Sequence, residues 1–251
     1  MIFIWSEAIG VEQKAQNRKV ISITILVIIL LLLTGALRTF NFVNPVLHAL
    51  RSLLIFFIYI GMLVAWGVSI EQRVAHKRVR NYLLATVALM LFFIIVRTVK
   101  FIFLAGNGTW ERLAWYSYYI PIMLIPLLVL WAALCIGNPG DYRPERKYRL
   151  LLIPTIILIL GILTNEFHQT AFILYFDVNG YWEDQYRHNI LYYAAVGWAM
   201  VLALAAIYQL YRKSRIPGTN KIIWLPLALL GIAVIYTILY NIDPFPPPGF
   251  S

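Results

Sequence analysis

Seven apolar stretches, each near the length of a bilayer-crossing helix, decide what this chain can fold into. They run Val20–Leu37, Val46–Ile70, Tyr82–Leu104, Tyr116–Ile136, Leu150–Asn165, Ile190–Tyr211 and Ile222–Tyr240. A spanning helix needs ~20 mostly apolar residues, so seven would use ~140 of the 251. Helix is the expected state because a lipid-exposed segment must satisfy its own backbone hydrogen bonds. A barrel needs alternating strands, and Ile21–Leu33 is almost uniformly apolar. The composition, 61% hydrophobic and 13% charged, departs from the ~45–50% and ~25% of soluble domains. This excludes a cytosolic enzyme, a secreted disulfide scaffold and a disordered tail protein. Cys135 is the single cysteine and has no partner for an internal disulfide. No A-x-A-like site follows Val20–Leu37, and a long polar stretch precedes it, so it reads as an uncleaved first helix. The expected fold is therefore all-α: a polytopic transmembrane bundle of seven spans over 20–240. A cytoplasmic segment, 1–19, precedes it and a Pro-rich tail, 241–251, follows.

Lys and Arg set the orientation. Lys14, Arg18 and Lys19 precede the first span. Arg73, Lys77, Arg78 and Arg80 fill the second connection, and Arg143, Arg146, Lys147 and Arg149 the fourth. Arg212, Lys213, Arg215 and Lys221 fill the sixth. Fifteen of the 21 basic residues thus fall on one side of an alternating topology. The positive-inside rule makes that side cytoplasmic, with the N-terminus inside and the C-terminus outside a multi-pass cell-membrane protein. The net charge of +10 all lies on the inner side. Topology and lipid contact account for it, and no nucleic-acid partner is expected.

Ala195, Ala199 and Ala203, with Gly197 nearby, form a small-residue stripe on the sixth span. Such a stripe lets helices approach closely, either inside the bundle or in a homodimer. Pro121, Pro126, Pro154 and Pro226 interrupt spans and tend to kink them. Trp110, Trp115, Tyr116, Tyr118 and Tyr119 read as an interfacial aromatic belt.

The informative residues are the polar ones near the outer ends of the spans. Arg51 lies ~9 Å below the outer end of the second span, and Arg97 ~10 Å below that of the third. Lys100 shares a face with Arg97 at i,i+3 spacing, and Arg38 closes the first span at the same level. Asn165, Glu166 and His168 follow the fifth span. A charge inside the bilayer costs ~2.5–3.5 kcal/mol at the centre and less near the interface, so it needs a partner. Three readings stand open: snorkelling to headgroups, an internal Arg–Glu166 pair that fixes helix registry, or an outward pocket for a small anionic or polar ligand. In the third, Arg51, Arg97, Lys100, Asn165, Glu166 and His168 are the candidate binding residues.

The connection from Glu166 to Asn189 is long and rich in aromatics, as expected of an ordered lid. His168, His188 and the acids near them match no metal motif, so no metal site is expected. No zincin, nucleophile-elbow, P-loop or paired-cysteine signature is present, and no cofactor or enzymatic activity is expected. His48 reads as a hydrogen-bonded bundle residue, His76 as solvated, and Cys135 as a small apolar filler.

Several stretches in order carry a resemblance. They are Ile60–Arg80, Asn81–Phe103 with its Arg97 and Lys100, Tyr118–Leu134, Leu163–Gln169 above all, and Arg212–Pro226. Over about 45–240 the chain resembles the N-terminal seven-helix membrane region of bacterial sensor histidine kinases. The family pattern is Leu-Thr-Asn-Asp-x-His-Gln, where this chain has Glu166. The resemblance implies a bundle that reads an extracytoplasmic stimulus and passes it to a cytoplasmic kinase output module. It assigns no chemical role to individual residues. The family pattern has a further span after the seventh, which the sequence does not reach. Neither a phosphoacceptor histidine region nor ATP-binding glycine motifs are present, so the kinase is expected in a longer chain or a partner.

The reading is a membrane sensory module without kinase activity of its own. The alternatives are a small transporter or carrier of a polar solute and an accessory membrane subunit. The topology has a direct test. A cysteine at Gly180 should react with an impermeant reagent added outside, and one at Arg78 should be protected; the opposite pattern would reverse the orientation.

Overall fold

The computed structural model describes residues 29–30, 32–37, 45–104, 106, 108–139, 142–176 and 182–214. They fall into two compact units, 1–62 and 63–251. In the first, residues 32–37 are helical and α1 (Pro45–Arg73) begins. There the Tyr59 hydroxyl donates to the buried Thr34 Oγ1 at 3.4 Å. The second unit takes the rest of α1, then α2 (Lys77–Phe103), α3 (Gly108–Tyr116), α4 (Tyr119–Cys135) and α5 (Arg146–Leu150). It continues with α6 (Leu152–Leu163), α7 (Asn165–His168), strands β1 (Phe172–Phe176) and β2 (Trp182–His188), and α8 (Ile190–Ser214).

Four helices among the described residues are long and apolar enough to cross a membrane: Leu50–Gln72, Lys77–Phe103, Gly108–Cys135 and Ile190–Lys213. They correspond to the second, third, fourth and sixth apolar stretches. The first stretch is described only at 29–30 and 32–37. The seventh, with Pro226, lies outside the described residues, as do the 1–19 segment and the 241–251 tail.

Two boundaries differ from expectation, each at a proline. The fifth stretch is reduced to the twelve-residue α6, with α5 ending at Leu150 just before it. Pro154 has no N–H for the Leu150 carbonyl, and the chain tightens there. Thr155 bonds the Leu151 carbonyl with its amide at 3.4 Å and its hydroxyl at 2.8 Å. The fourth span begins at Gly108 rather than Tyr116, because α3 leads into α4 through Ser117 and Tyr118. Pro121 cannot bond the Ser117 carbonyl, which accepts instead from Ile120 N at 3.2 Å.

Helix α4 is the axis of the second unit. Nine of its seventeen residues are buried, because α2, α6 and α8 all pack against it. The apolar core follows it from Tyr119 and Met123, through Leu127, Leu130 and Leu134, to Cys135. Cys135 is buried beside Val79 and Ala132, as a small filler should be. The stripe on α8 serves this packing: Ala195 and Ala203 are buried within the chain, and Ala199 packs on the core. A Cβ on Gly161 would lie 2.8 Å from Leu191 Cδ2, so α6 and α8 also approach closely. Two bonds tie helices across the bundle. Trp198 Nε1 donates to Thr155 Oγ1 and Trp131 Nε1 to the Tyr148 carbonyl, each at 2.9 Å.

The basic end of the unit is also fastened. Lys213 Nζ donates to the carbonyls of Leu134 (2.7 Å) and Ile136, placing a cation where α4 presents its last carbonyls. His76, expected to be merely solvated, is the N-cap of α2: its Nδ1 accepts from Val79 N at 3.4 Å, and its Nε2 lies 3.2 Å from the Pro139 carbonyl.

An all-α fold is corrected at the opposite end. The long aromatic connection holds an antiparallel hairpin, pairing Phe172 with His188, Ile173 with Arg187, Leu174 with Tyr186 and Phe176 with Trp182. The register shifts between Leu174 and Phe176. Phe172 and Leu174 are buried on one face, against Tyr116, Tyr119, Met123, Ile162 and Tyr192. Among the described residues of this connection, the regular structure between 172 and 188 comes from β pairing.

Candidate functional site

One side chain ties the hairpin to the helices. Asn165 opens α7 and is fully buried. Its Oδ1 accepts from the amides of Ala171 (2.9 Å) and Phe172 (3.0 Å). Its Nδ2 donates to the Phe172 carbonyl (2.9 Å) and the Tyr116 hydroxyl (3.3 Å). A side-chain amide has two donors and two acceptor positions, and all four are used. Its neighbours complete the turn. Gln169 adopts the left-handed conformation (φ 48°) that ends α7, and its backbone amide returns to the Asn165 carbonyl at 2.8 Å. His168 Nδ1 accepts from Thr170 N at 3.1 Å, and its Nε2 lies 3.2 Å from Thr164 Oγ1.

The hairpin is equally tied to α8. Asn189 N donates to the Ala171 carbonyl at 2.9 Å, Leu191 N to the Thr170 carbonyl at 3.0 Å, and Asn189 Nδ2 to the Gln169 carbonyl at 3.1 Å. Aromatic rings fill the space beneath. Phe172 is 4.5 Å from Trp115 and 5.6 Å from both Tyr119 and Tyr192, centroid to centroid. His188 stacks on Tyr192 at 3.8 Å, and burial pushes its pKa below the ordinary value, which keeps the ring neutral at pH 7.

Glu166 has found its arginine, and it is Arg112 on α3. Arg112 Nε donates to Glu166 Oε1 at 2.7 Å and Nη2 to Oε2 at 3.2 Å, a bidentate pair. The Tyr116 hydroxyl adds a bond to Oε1 at 3.2 Å, and the Arg112 guanidinium lies over the Phe176 ring at 5.4 Å. Arg112, Glu166, Tyr116 and Asn165 thus form one continuous polar network. A second pair, Lys100 with Glu111 at 3.4 Å, joins α2 to α3.

Of the six candidate residues, Arg51 belongs to the 1–62 unit and the other five to the 63–251 unit. The five are not equivalent. Asn165 is saturated by backbone and Tyr116, His168 makes local turn contacts, and Lys100 and Glu166 have ionic partners. Arg97 makes no ion pair among the described residues and stands 5.8 Å from the Phe101 ring. Of the readings left open, an internal Arg–Glu166 pair is present, and the arginine is Arg112. Of the expected aromatic belt, only Trp110 is largely exposed; Tyr116 and Tyr119 are core residues.

Glu111 and Arg112 fall in the connection between the third and fourth apolar stretches, and Tyr116 reads from the sequence as a belt residue. A helix started at Gly108 places Arg112 and Tyr116 at i,i+4 on one face, the face that meets Glu166. The hairpin also had a signal: the turn-forming pair Asn179-Gly180 stands in the sequence between two aromatic runs.

The network predicts a mutational cycle. Arg112→Leu should destabilise the bundle by ~2–3 kcal/mol, since it strands a carboxylate, and adding Glu166→Leu should recover at least half of that. Arg97→Leu and Glu166→Leu should simply add. Reversible unfolding in mixed micelles measures both cycles; additive losses for Arg112 and Glu166 would contradict the pairing.

No curated protein and no solved structure matches the chain. One family model does, that of the N-terminal 7TM region of histidine kinase, over residues 50–250. The match takes in the helices, the hairpin and the motif that fastens them. The chain belongs to that family, and it is a membrane protein of the kind that forms the sensory region of histidine kinases.

Proposed function

We propose that the chain receives an extracytoplasmic stimulus at its hairpin end and passes it to a cytoplasmic kinase output module, in a longer chain or a partner. It has no catalytic task of its own. The carrying observation is the bonding of the turn that opens the hairpin, Gln169 to Ala171, to the start of α8 through Asn189 and Leu191. Helix α8 then runs unbroken to Ser214 with Arg212 and Lys213 in its last turn. A displacement of the hairpin therefore acts directly on the end of a membrane-length helix.

The basic residues clustered at the other end support an inside N-terminus and an outside hairpin. In this reading Asn165, Glu166 and His168 set the hairpin's position, Lys100 is held by Glu111, and Arg97 attracts a small anionic ligand. The small-residue stripe of α8 is occupied within the bundle, so a homodimer would use another face.

The test joins the full chain, through one added membrane span, to a histidine-kinase output module. Asn189→Ala loosens the hairpin from α8 and leaves the core intact. In proteoliposomes it should change basal autophosphorylation by ~5-fold, the lower range of allosteric coupling. Phe167→Ala, at a side chain 89% exposed, should leave it unchanged. Equal output from the Asn189→Ala and unsubstituted fusions would contradict the proposal.

A further inference from the structure

Two groups at the hairpin end are left over once the ion pairs are made. Arg97 has no ionic partner among the described residues. The Tyr118 hydroxyl is buried and makes no hydrogen bond among them, while its ring packs 5.0 Å from Phe93. The two belong to one place. Tyr118 packs on Phe93, which stands one helical turn before Arg97 on the same face of α2, and α2 packs on α3 here. The Lys100–Glu111 pair at 3.4 Å adds two charges that cancel.

The corner therefore carries one uncompensated positive charge and one unused buried donor. A buried donor without an acceptor costs ~1–3 kcal/mol. Both lack the same partner, an oxygen acceptor bearing one negative charge. A dianion would leave one negative charge unmatched. Arg97 lies ~9 Å before the Phe103 end of α2, where its long stem can carry the guanidinium up to lipid phosphates.

We propose that Arg97 and Tyr118 form a binding site for a singly charged oxyanion, at the junction of α2 with α3 and α4. The guanidinium supplies the charge and a planar pair of N–H donors, and the tyrosine hydroxyl donates a further bond. Two sources offer this chemistry: the phosphodiester headgroup of an anionic lipid, and a soluble carboxylate or phosphate. The site names a ligand class for the sensory reading and rests on that reading only for its role in signalling. Binding is measured without a kinase, so failure of one is distinguishable from failure of the other.

The experiment uses the full chain. Native mass spectrometry counts phosphatidylglycerol retained against phosphatidylcholine, and calorimetry in phosphatidylcholine nanodiscs follows titration with sodium acetate and inorganic phosphate. Arg97→Gln and Tyr118→Phe should each weaken binding ~10-fold or more, the loss expected for a hydrogen bond to a charged group. Arg97→Lys should restore part of it, and Lys147→Gln, an exposed cation elsewhere, should change nothing. Dependence on Arg97 and Tyr118 in the lipid arm identifies a headgroup, and in the salt arm a soluble anion. Binding that ignores both residues in both arms overturns the site, as does a folded Tyr118→Phe variant that binds at full strength.

Discussion

The hydrogen bonds of Asn165 hold together the junction on which the rest of the hairpin end depends. Helix α6 ends, the chain turns through α7 and the hairpin begins, all within about seven residues of this side chain, and the start of α8 bonds to the same turn. The amides of Ala171 and Phe172 point at its Oδ1, and both Nδ2 hydrogens are engaged. In a buried setting each unpaired group would cost ~1–3 kcal/mol, so a replacement of the same size without these donors and acceptors strands several at once. Aspartate in its place would lose both donors, and leucine would lose everything.

Around that junction, polar and aromatic contacts divide the task. The aromatic cluster under Phe172 supplies apolar burial but little direction, since rings tolerate tilted and stacked geometries alike. Direction comes from the bidentate Arg112–Glu166 pair, which fixes α3 against α7. A continuous line of bonds then leads from α3 through Glu166 and Asn165 to the hairpin and on to α8. Such a line suits a module that must convert a local event into motion of a membrane helix.

The helices were legible in the sequence because their signal, a long apolar run, is imposed by lipid and does not depend on tertiary partners. The second, third and sixth stretches match α1, α2 and α8 to within a few residues. The motif Leu163–Gln169 was singled out, yet its purpose was not readable: Asn165 acts through backbone groups of residues 171 and 172, which no pattern of side chains announces. Phe167, the position that the family pattern leaves open, is largely exposed. Arg112 was missed for the opposite reason. It sits in a short helix of mixed composition, where hydropathy falls below what marks a span. The hairpin was missed because aromatic residues near a membrane suggest an interfacial belt before they suggest β pairing.

The central claim is that Asn165 fastens the hairpin to the helices. Hydrogen–deuterium exchange of the Asn165→Leu variant in nanodiscs tests it most directly. Protection of the Ala171 and Phe172 amides should fall by ~100-fold, the equivalent of ~2.7 kcal/mol of lost local stability, while the Leu127 and Leu130 amides in α4 keep theirs. Unchanged protection at Ala171 and Phe172 would contradict the account, since the hairpin would then be held by its rings alone.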